Sequence, residues 1–384
     1  MNSSAWFDQL SAELRSAGVA TPVIVLDLDR LDHNLALLAG GLSHRYRVVT
    51  KSLPSGELIR YILDATGANR LMAFHLPFVP WMLEAFPDTD ILLGKPFLVA
   101  AADAFFTQIS AGVRSAAQAR IQWLVDTPTR LDEYLALAGR VGAPIRVNIE
   151  IDVGLHRGGV ADADELHMML AKIAAHPGRL LFAGFMGYDA HVPFWPDPDD
   201  AFAKAMQRYA QFIDYGRDHF PALFEGELTF NSGGSKTWFR FDEGLAVNDV
   251  AAGSAAVKPS TFSLLAEHRP ALFIAAPVIR KFPRVSRREV DPTVAMSLYL
   301  YGGGWAADIV HPDGITISPS ADPPNQNLLP NQCLFETHMD TPLGLGDFVF
   351  FQPHQGDAMV QFEEILVIRG GRLVDRWRPF PRRY

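Results

Sequence analysis

Short runs of β-branched and aromatic residues recur along the chain, separated by longer stretches whose apolar positions fall at helical spacing. This is the pattern of strand-helix units on a parallel sheet. The runs are RVVTKS, LMAFHL (71–76), DILLG (90–94), IQWLVDT (121–127), RVNIEID (146–152), LFAGFMGYD (181–189), ELTFNSGG (227–234) and VNDVAAGS (247–254). Eight strands alternating with helices over about 210 residues predict a (β/α)8 TIM barrel, an α/β fold. One strand is left over at the front, PVIVLDL (22–28), followed by a helical RLDHNLALLAGGL. Beyond about residue 256 the helical period fades into β-type runs, ALFIAAPVIRKF, VAMSLYLYGGG, DFVFFQP and EEILVIRGGRLVDRW. The expected division is an N-terminal segment 1–28, a barrel over 29–256, and a mainly β C-terminal domain over 257–384 that recruits the leading strand. SPSADPPNQN (318–327) is the clearest loop.

Composition narrows the class. Of 384 residues, 48% are hydrophobic and 20% charged, which excludes disordered and fibrous chains. The balance of 34 basic against 43 acidic residues, net −9, with no basic block, argues against nucleic acid as a partner. The single cysteine, Cys333, permits neither an internal disulfide nor a multi-cysteine zinc site and suits a reducing compartment. MNSSAWFDQLSAELRSAGVA lacks the basic start and apolar run of a signal peptide. No stretch approaches the ~18 apolar residues that span a bilayer. The expectation is a cytoplasmic protein without a membrane partner.

In barrels of this kind active sites form at the C-terminal strand ends. Lys51 ends the first run, where desolvation would depress its pKa and free the amine to attack a carbonyl. A surface or ion-paired lysine is the plainer alternative. Opposite it, the seventh and eighth runs end in Gly-Gly-Ser (Gly233, Gly234, Ser235) and Gly-Ser (Gly253, Ser254), whose N–H groups and hydroxyls suit a phosphate. A nucleophilic lysine facing a phosphate cradle fits pyridoxal 5'-phosphate, fixed covalently at one end and by its phosphate at the other. Arg157, in EIDVGLHRGG, either pairs with Glu150 or Asp152 to hold its loop or faces the cofactor's ring nitrogen.

Together TPVIVLDLDRLDHNL, RVVTKS, VNIEIDVGLHRGGV, GYDAHV, NSGGS and GDFVFFQPHQGDAMVQF resemble fold-type III pyridoxal-phosphate enzymes of the D-threonine aldolase and D-serine dehydratase branch, related to alanine racemase. The resemblance implies that Lys51 carries the cofactor, that Arg157 contacts the pyridine nitrogen, that His75 and Tyr188 surround the ring, and that Ser235, Gly253 and Ser254 bind phosphate. It also implies a homodimer and an amino-acid substrate. In this branch a His and a Cys or Asp two residues apart hold a divalent metal that polarises the substrate's β-hydroxyl. Here the segment reads Pro353-His354-Gln355-Gly356-Asp357, so Gln355 stands at the histidine position and His354 is one place off. His354 and Asp357 either bind Mn2+, Mg2+ or Zn2+ after a small loop shift, or His354 acts directly as acid or base. His191 is a second candidate for either role, or a structural histidine.

The leading expectation is a lyase on a β-hydroxy D-amino acid, by retro-aldol cleavage or by dehydration. An amino-acid racemase, which needs a second base beside Lys51, is the alternative. A non-enzymatic cofactor carrier of the single-barrel kind would lack the C-terminal β-rich region.

Overall fold

In the computed structural model, residues 3–283, 296–317 and 332–380 are described; the predicted loop 318–327 lies outside them. Strand β1 (Val23–Asp27) precedes eight parallel strands, β2 (Tyr46–Val49), β3 (Arg70–Ala73), β4 (Asp90–Leu93), β5 (Ile121–Val125), β6 (Ile145–Glu150), β7 (Leu180–Gly187), β8 (Thr229–Ser232) and β9 (Asp249–Ala252). They pair in sequence order and β9 closes on β2 to form the barrel. All eight match the apolar runs of the sequence, because a parallel strand covered by helices outside and filled inside must be apolar on both faces.

The barrel interior is layered. Near the top, Val49, Met72, Leu92, Leu124, Met186 and Ala251 form one apolar cluster, with Phe74 and Tyr188 packed against it. At the opposite end Arg47 is buried and pairs with Asp249 at 2.7 Å and Asp90 at 2.9 Å. Gln122 reaches Asp90 and Thr229, and Asn148 reaches Gln122. Arg47 belongs to β2 and Asp249 to β9, so this pair pins the seam where the first and last barrel strands meet. Burying such charges is tolerable only because each finds a partner.

The second sheet uses β10 (Leu272–Pro283), β11 (Met296–Tyr301), β12 (Ala307–His311), β13 (Thr316–Ile317), β14 (Gln332–Thr337), β15 (Phe348–Pro353), β16 (Ile365–Arg369) and β17 (Arg372–Trp377). Its order is β13-β14-β11-β10-β1-β16-β17, with β15 pairing β10 and β12 pairing β15. Fully buried β1 lies antiparallel to β10 and parallel to β16. Helix α1 (Ser3–Ser16) covers one face of this sheet with Trp6, Phe7, Leu10 and Leu14, against Phe273, Phe350 and Leu366. Helix α2 (Leu28–Leu42) follows β1 without a linker: the Asp27 carboxylate accepts the N–H groups of Asp29 and Arg30 and so caps it.

One contact between the two sheets' elements shapes the upper end of the barrel. The turn Gly356–Gln361, after β15, rests on the turn Thr50–Ser52, after β2. A Cβ on Gly356 would fall on the Ser52 carbonyl, so only glycine allows this approach. β12 and β13 have no counterpart among the predicted runs: β12 is half-buried except at the exposed Asp308 and pairs through an irregular register, and so lacks an alternating signal.

Candidate active site

Lys51 sits just past β2, on the single turn Thr50–Ser52 rather than on the strand. The Thr50 hydroxyl donates to the Met72 carbonyl at 3.1 Å and ties this turn to β3. The Lys51 ammonium lies 4.3 Å from the Phe74 ring centroid. Burial lowers its pKa, Arg157 and Lys95 lower it further, and Asp357 opposes them.

The loop after β6 is wound around Asp152. That carboxylate accepts the N–H groups of Gly154 and His156 and the His156 imidazole at 2.6 Å, while β-type bonds from Val160 to Glu150 return the chain. Burial raises the Asp152 pKa and these hydrogen bonds outweigh it, holding the carboxyl below its usual range. Gly159, at φ +92, has no room for a Cβ beside Glu150. The loop thereby returns Arg157 over Glu150, with Nη2 to Oε1 at 3.1 Å and the guanidinium 5.1 Å from the Tyr188 ring centroid. Burial lifts the Glu150 pKa and Arg157 pulls it down, leaving it raised.

Opposite Lys51, the loop after β8 and the start of the segment after β9 make a cup poor in side chains. The Ser235 hydroxyl oxygen accepts the N–H groups of Gly253 at 3.1 Å and Ala255 at 3.0 Å. Gly233 has φ +83, a Cβ on Gly234 would crowd Tyr188 at 2.9 Å, and one on Gly253 would meet the Val49 carbonyl at 2.8 Å. The Thr237 hydroxyl donates to the buried Asp189 at 3.1 Å, and its oxygen accepts the Gly234 N–H at 3.1 Å.

Lys51, Arg157, Tyr188, Gly233, Gly234, Ser235, Gly253 and Ser254 all line one cavity of about 270 Å³. It has an amine nucleophile at one side, an aromatic wall with a guanidinium beside it, and a cradle that added side chains would fill. These residues fit pyridoxal phosphate. Among the described residues, three cations, Lys51, Arg157 and Lys236, line the cavity and no carboxylate does.

The histidines lie elsewhere. His75 precedes the turn Leu76–Phe78, in the field of Lys51, Lys95 and Asp357; burial, first, and Lys95 lower its pKa. His191 packs against Gly154 and Trp195, and burial lowers its pKa. His354 turns to Asp308 at 3.3 Å, while its neighbour Gln355 lines the cavity. Asp357 is exposed on the Gly356–Gln361 turn, where its charge acts on Lys51 and His75. Among the described residues no three His, Cys, Asp or Glu side chains gather where they could hold a metal ion, so the donors present do not fit the expected divalent cation.

Sequence reasoning passed over Lys236, Thr237 and Phe194, and saw Gln355 only as the residue at the expected metal-histidine position. The signal for Lys236 was its place directly after Ser235; the others reach the cavity only through tertiary packing.

Residues 26–260 match the family model described as "Alanine racemase, N-terminal domain". An alanine racemase of Mycolicibacterium smegmatis is 27% identical over 209 residues, 53% of this chain and 50% of that protein, so the chain spans about half the length of the curated relatives it matches. Among solved structures, the D-threonine aldolase from Filomicrobium marinum has a TM-score of 0.71 at 22% identity, covering 94% of this chain and 95% of its own. The D-threo-3-hydroxyaspartate dehydratase from Delftia sp. HT23 has a TM-score of 0.74 at 18% identity, covering 95% and 98%. These likenesses establish the fold. No helix among the described residues is long and apolar enough to cross a membrane.

Proposed function

Because this chain belongs to the alanine racemase N-terminal domain family of fold-type III pyridoxal-phosphate enzymes, we propose that it is a pyridoxal-phosphate lyase acting on β-hydroxy D-amino acids. The carrying observation is the Lys51 amine, depressed in pKa and facing the side-chain-poor cup of Ser235 and Gly253 across one cavity. The aldolase and dehydratase neighbours support the lyase class and the D configuration.

Pyridoxal phosphate, when bound, supplies an electron sink that weakens the bonds at the substrate's α-carbon. Lys51 would hold it through its amine, and a depressed pKa keeps a larger share of that amine neutral and nucleophilic. Arg157, beside the ring, would donate a hydrogen bond without giving up its proton, as a guanidinium does, which would moderate the sink. Ser235 and the backbone around Gly253 hold the phosphate. In dehydration the Lys51 amine, once the substrate amine had displaced it, would take the α-proton while an acid protonated the departing β-hydroxyl; in retro-aldol cleavage a base would take the hydroxyl proton as the Cα–Cβ bond broke. The candidates for that base are His75, His354 and His191, none of which is among the residues lining the cavity; separate alanine variants identify it by which one abolishes cleavage.

The test is the near-visible absorbance of the pure protein, with and without borohydride, followed by a panel of D- and L-β-hydroxy amino acids and by EDTA. Lys51→Ala is expected to lose the borohydride-trapped band, and its persistence would overturn the assignment. Turnover of L but not D substrates would sink the configuration, and loss of activity in EDTA restored by metal would reinstate the ion. The sequence match to an alanine racemase favours a second reading as a racemase; exchange of the α-hydrogen with inversion and without carbon–carbon cleavage would select it. We also propose a homodimer, for which light scattering should return twice the 42.4 kDa chain mass.

A further inference from the structure

The cavity holds one cation that the proposed reaction leaves without a task. Of its three cationic lining residues, Lys51 is reserved for the cofactor and Arg157 is paired with Glu150; Lys236 remains. Its ammonium lies 4.9 Å from the ring centroids of both Phe194 and Phe262. Phe194 is 74% exposed, which puts this end of the cavity at its mouth. One residue earlier, Ser235 directs its hydroxyl to the N–H groups of Gly253 and Ala255 within the cup. The two neighbouring side chains therefore serve different ends of the cavity. The phenyl faces hold the ammonium by cation–π attraction without neutralising it, and among the described residues Lys236 makes no ion pair. A positioned cation without an ion pair, in a wall where no described residue is an acid, attracts anions into the site.

We propose that Lys236 binds a carboxylate of the amino-acid substrate at the cavity mouth and so orients the substrate toward Lys51. This rests on the reading of the site given above. The carboxylate is either the α-carboxylate or one on the side chain, and the substrate panel tells them apart.

The test uses Lys236→Met, which keeps a stem of similar length between the rings and removes the charge, with Lys236→Arg as the conservative variant. In the cofactor-loaded enzyme KM should rise roughly tenfold to a hundredfold with kcat little changed, and Lys236→Arg should recover most of the loss. A rise for β-hydroxy D-amino acids with uncharged side chains identifies the α-carboxylate; a rise confined to those with an acidic side chain identifies the side-chain carboxylate. Malonate, titrated by tryptophan fluorescence and therefore independent of turnover, should bind more weakly to Lys236→Met by a similar factor. The proposal is overturned if cofactor affinity falls while KM and malonate affinity stay unchanged, since Lys236 would then serve the phosphate, or if none of these quantities moves. If Lys51→Ala retains the trapped band, the reading of the reaction fails while the malonate comparison still decides the role of Lys236.

Discussion

Burial pushes the Asp189 carboxyl up to about 7 from 3.8, against the opposing pull of the Thr237 hydroxyl and Arg240, while its second oxygen meets no partner among the described residues. In the folded state this group therefore binds a proton that the unfolded chain releases above about pH 4. Between pH 4 and 7 the folded state carries more protons than the unfolded state, so the contribution is full at low pH and declines as pH rises through 7. Asp189→Asn, neutral throughout and still able to accept from Thr237, should flatten the fall in Tm between pH 5 and 8. A fall as steep as the parent's would show that Asp189 is already ionised at pH 5. The sequence displayed Asp189 as a polar strand-end residue, like Tyr188 beside it. It did not display the depth of either side chain, because the cover comes from the distant loop carrying Gly234 and Thr237. For the same reason Lys51 could be read from its own strand, whereas the histidines could not be sorted. His354 faces Asp308 and not the cavity only because β12 lies beside β15.

The elements most easily read from the sequence were those whose environment is uniform. Each barrel strand is mostly buried on both faces, Leu181 of β7 being exposed, so local composition alone marked it, down to the short Thr229–Ser232. β12 and the turn at Gly356 depend on partners far along the chain, and their own residues carry little period. Gly356 makes this testable at the site. A Cβ there falls on the Ser52 backbone carbonyl, an atom that cannot move without moving the Lys51 turn. Gly356→Ala should leave the barrel folded, since the turn lies outside it, yet lower pyridoxal-phosphate affinity roughly tenfold or more, the scale on which a small misplacement of a site matters. Far-ultraviolet circular dichroism and an absorbance titration check the two halves; unchanged affinity would mean that the turn shifts without disturbing Lys51. Ser235→Ala should weaken the cofactor too, by freeing the Gly253 and Ala255 N–H groups from the oxygen that orders them.

Across the whole molecule, one passage joins the β sheet to the barrel and one ion pair closes the barrel itself. β1 is inserted between β10 and β16, and α2 starts at the very next residue, capped by the Asp27 side chain, so no flexible linker separates the strand from the helix that packs on the barrel. The barrel is closed in turn by the Arg47–Asp249 pair across the β2–β9 seam, with both side chains almost wholly inaccessible. Arg47→Met leaves the Asp249 charge buried with Arg70 as its remaining ion-pair partner, and breaking a buried pair in this way costs about 3–5 kcal/mol. Arg70→Met removes a partly exposed partner of the same carboxylate and should cost no more than about 1 kcal/mol. If strand and helix transmit the opening of the seam to the sheet, calorimetry of Arg47→Met should show one cooperative transition moved well down in temperature, and Arg70→Met one moved slightly. Two separated transitions in Arg47→Met, with the upper one at the parent's temperature, would show instead that the β sheet survives the barrel and that the direct passage from β1 to α2 does not couple them.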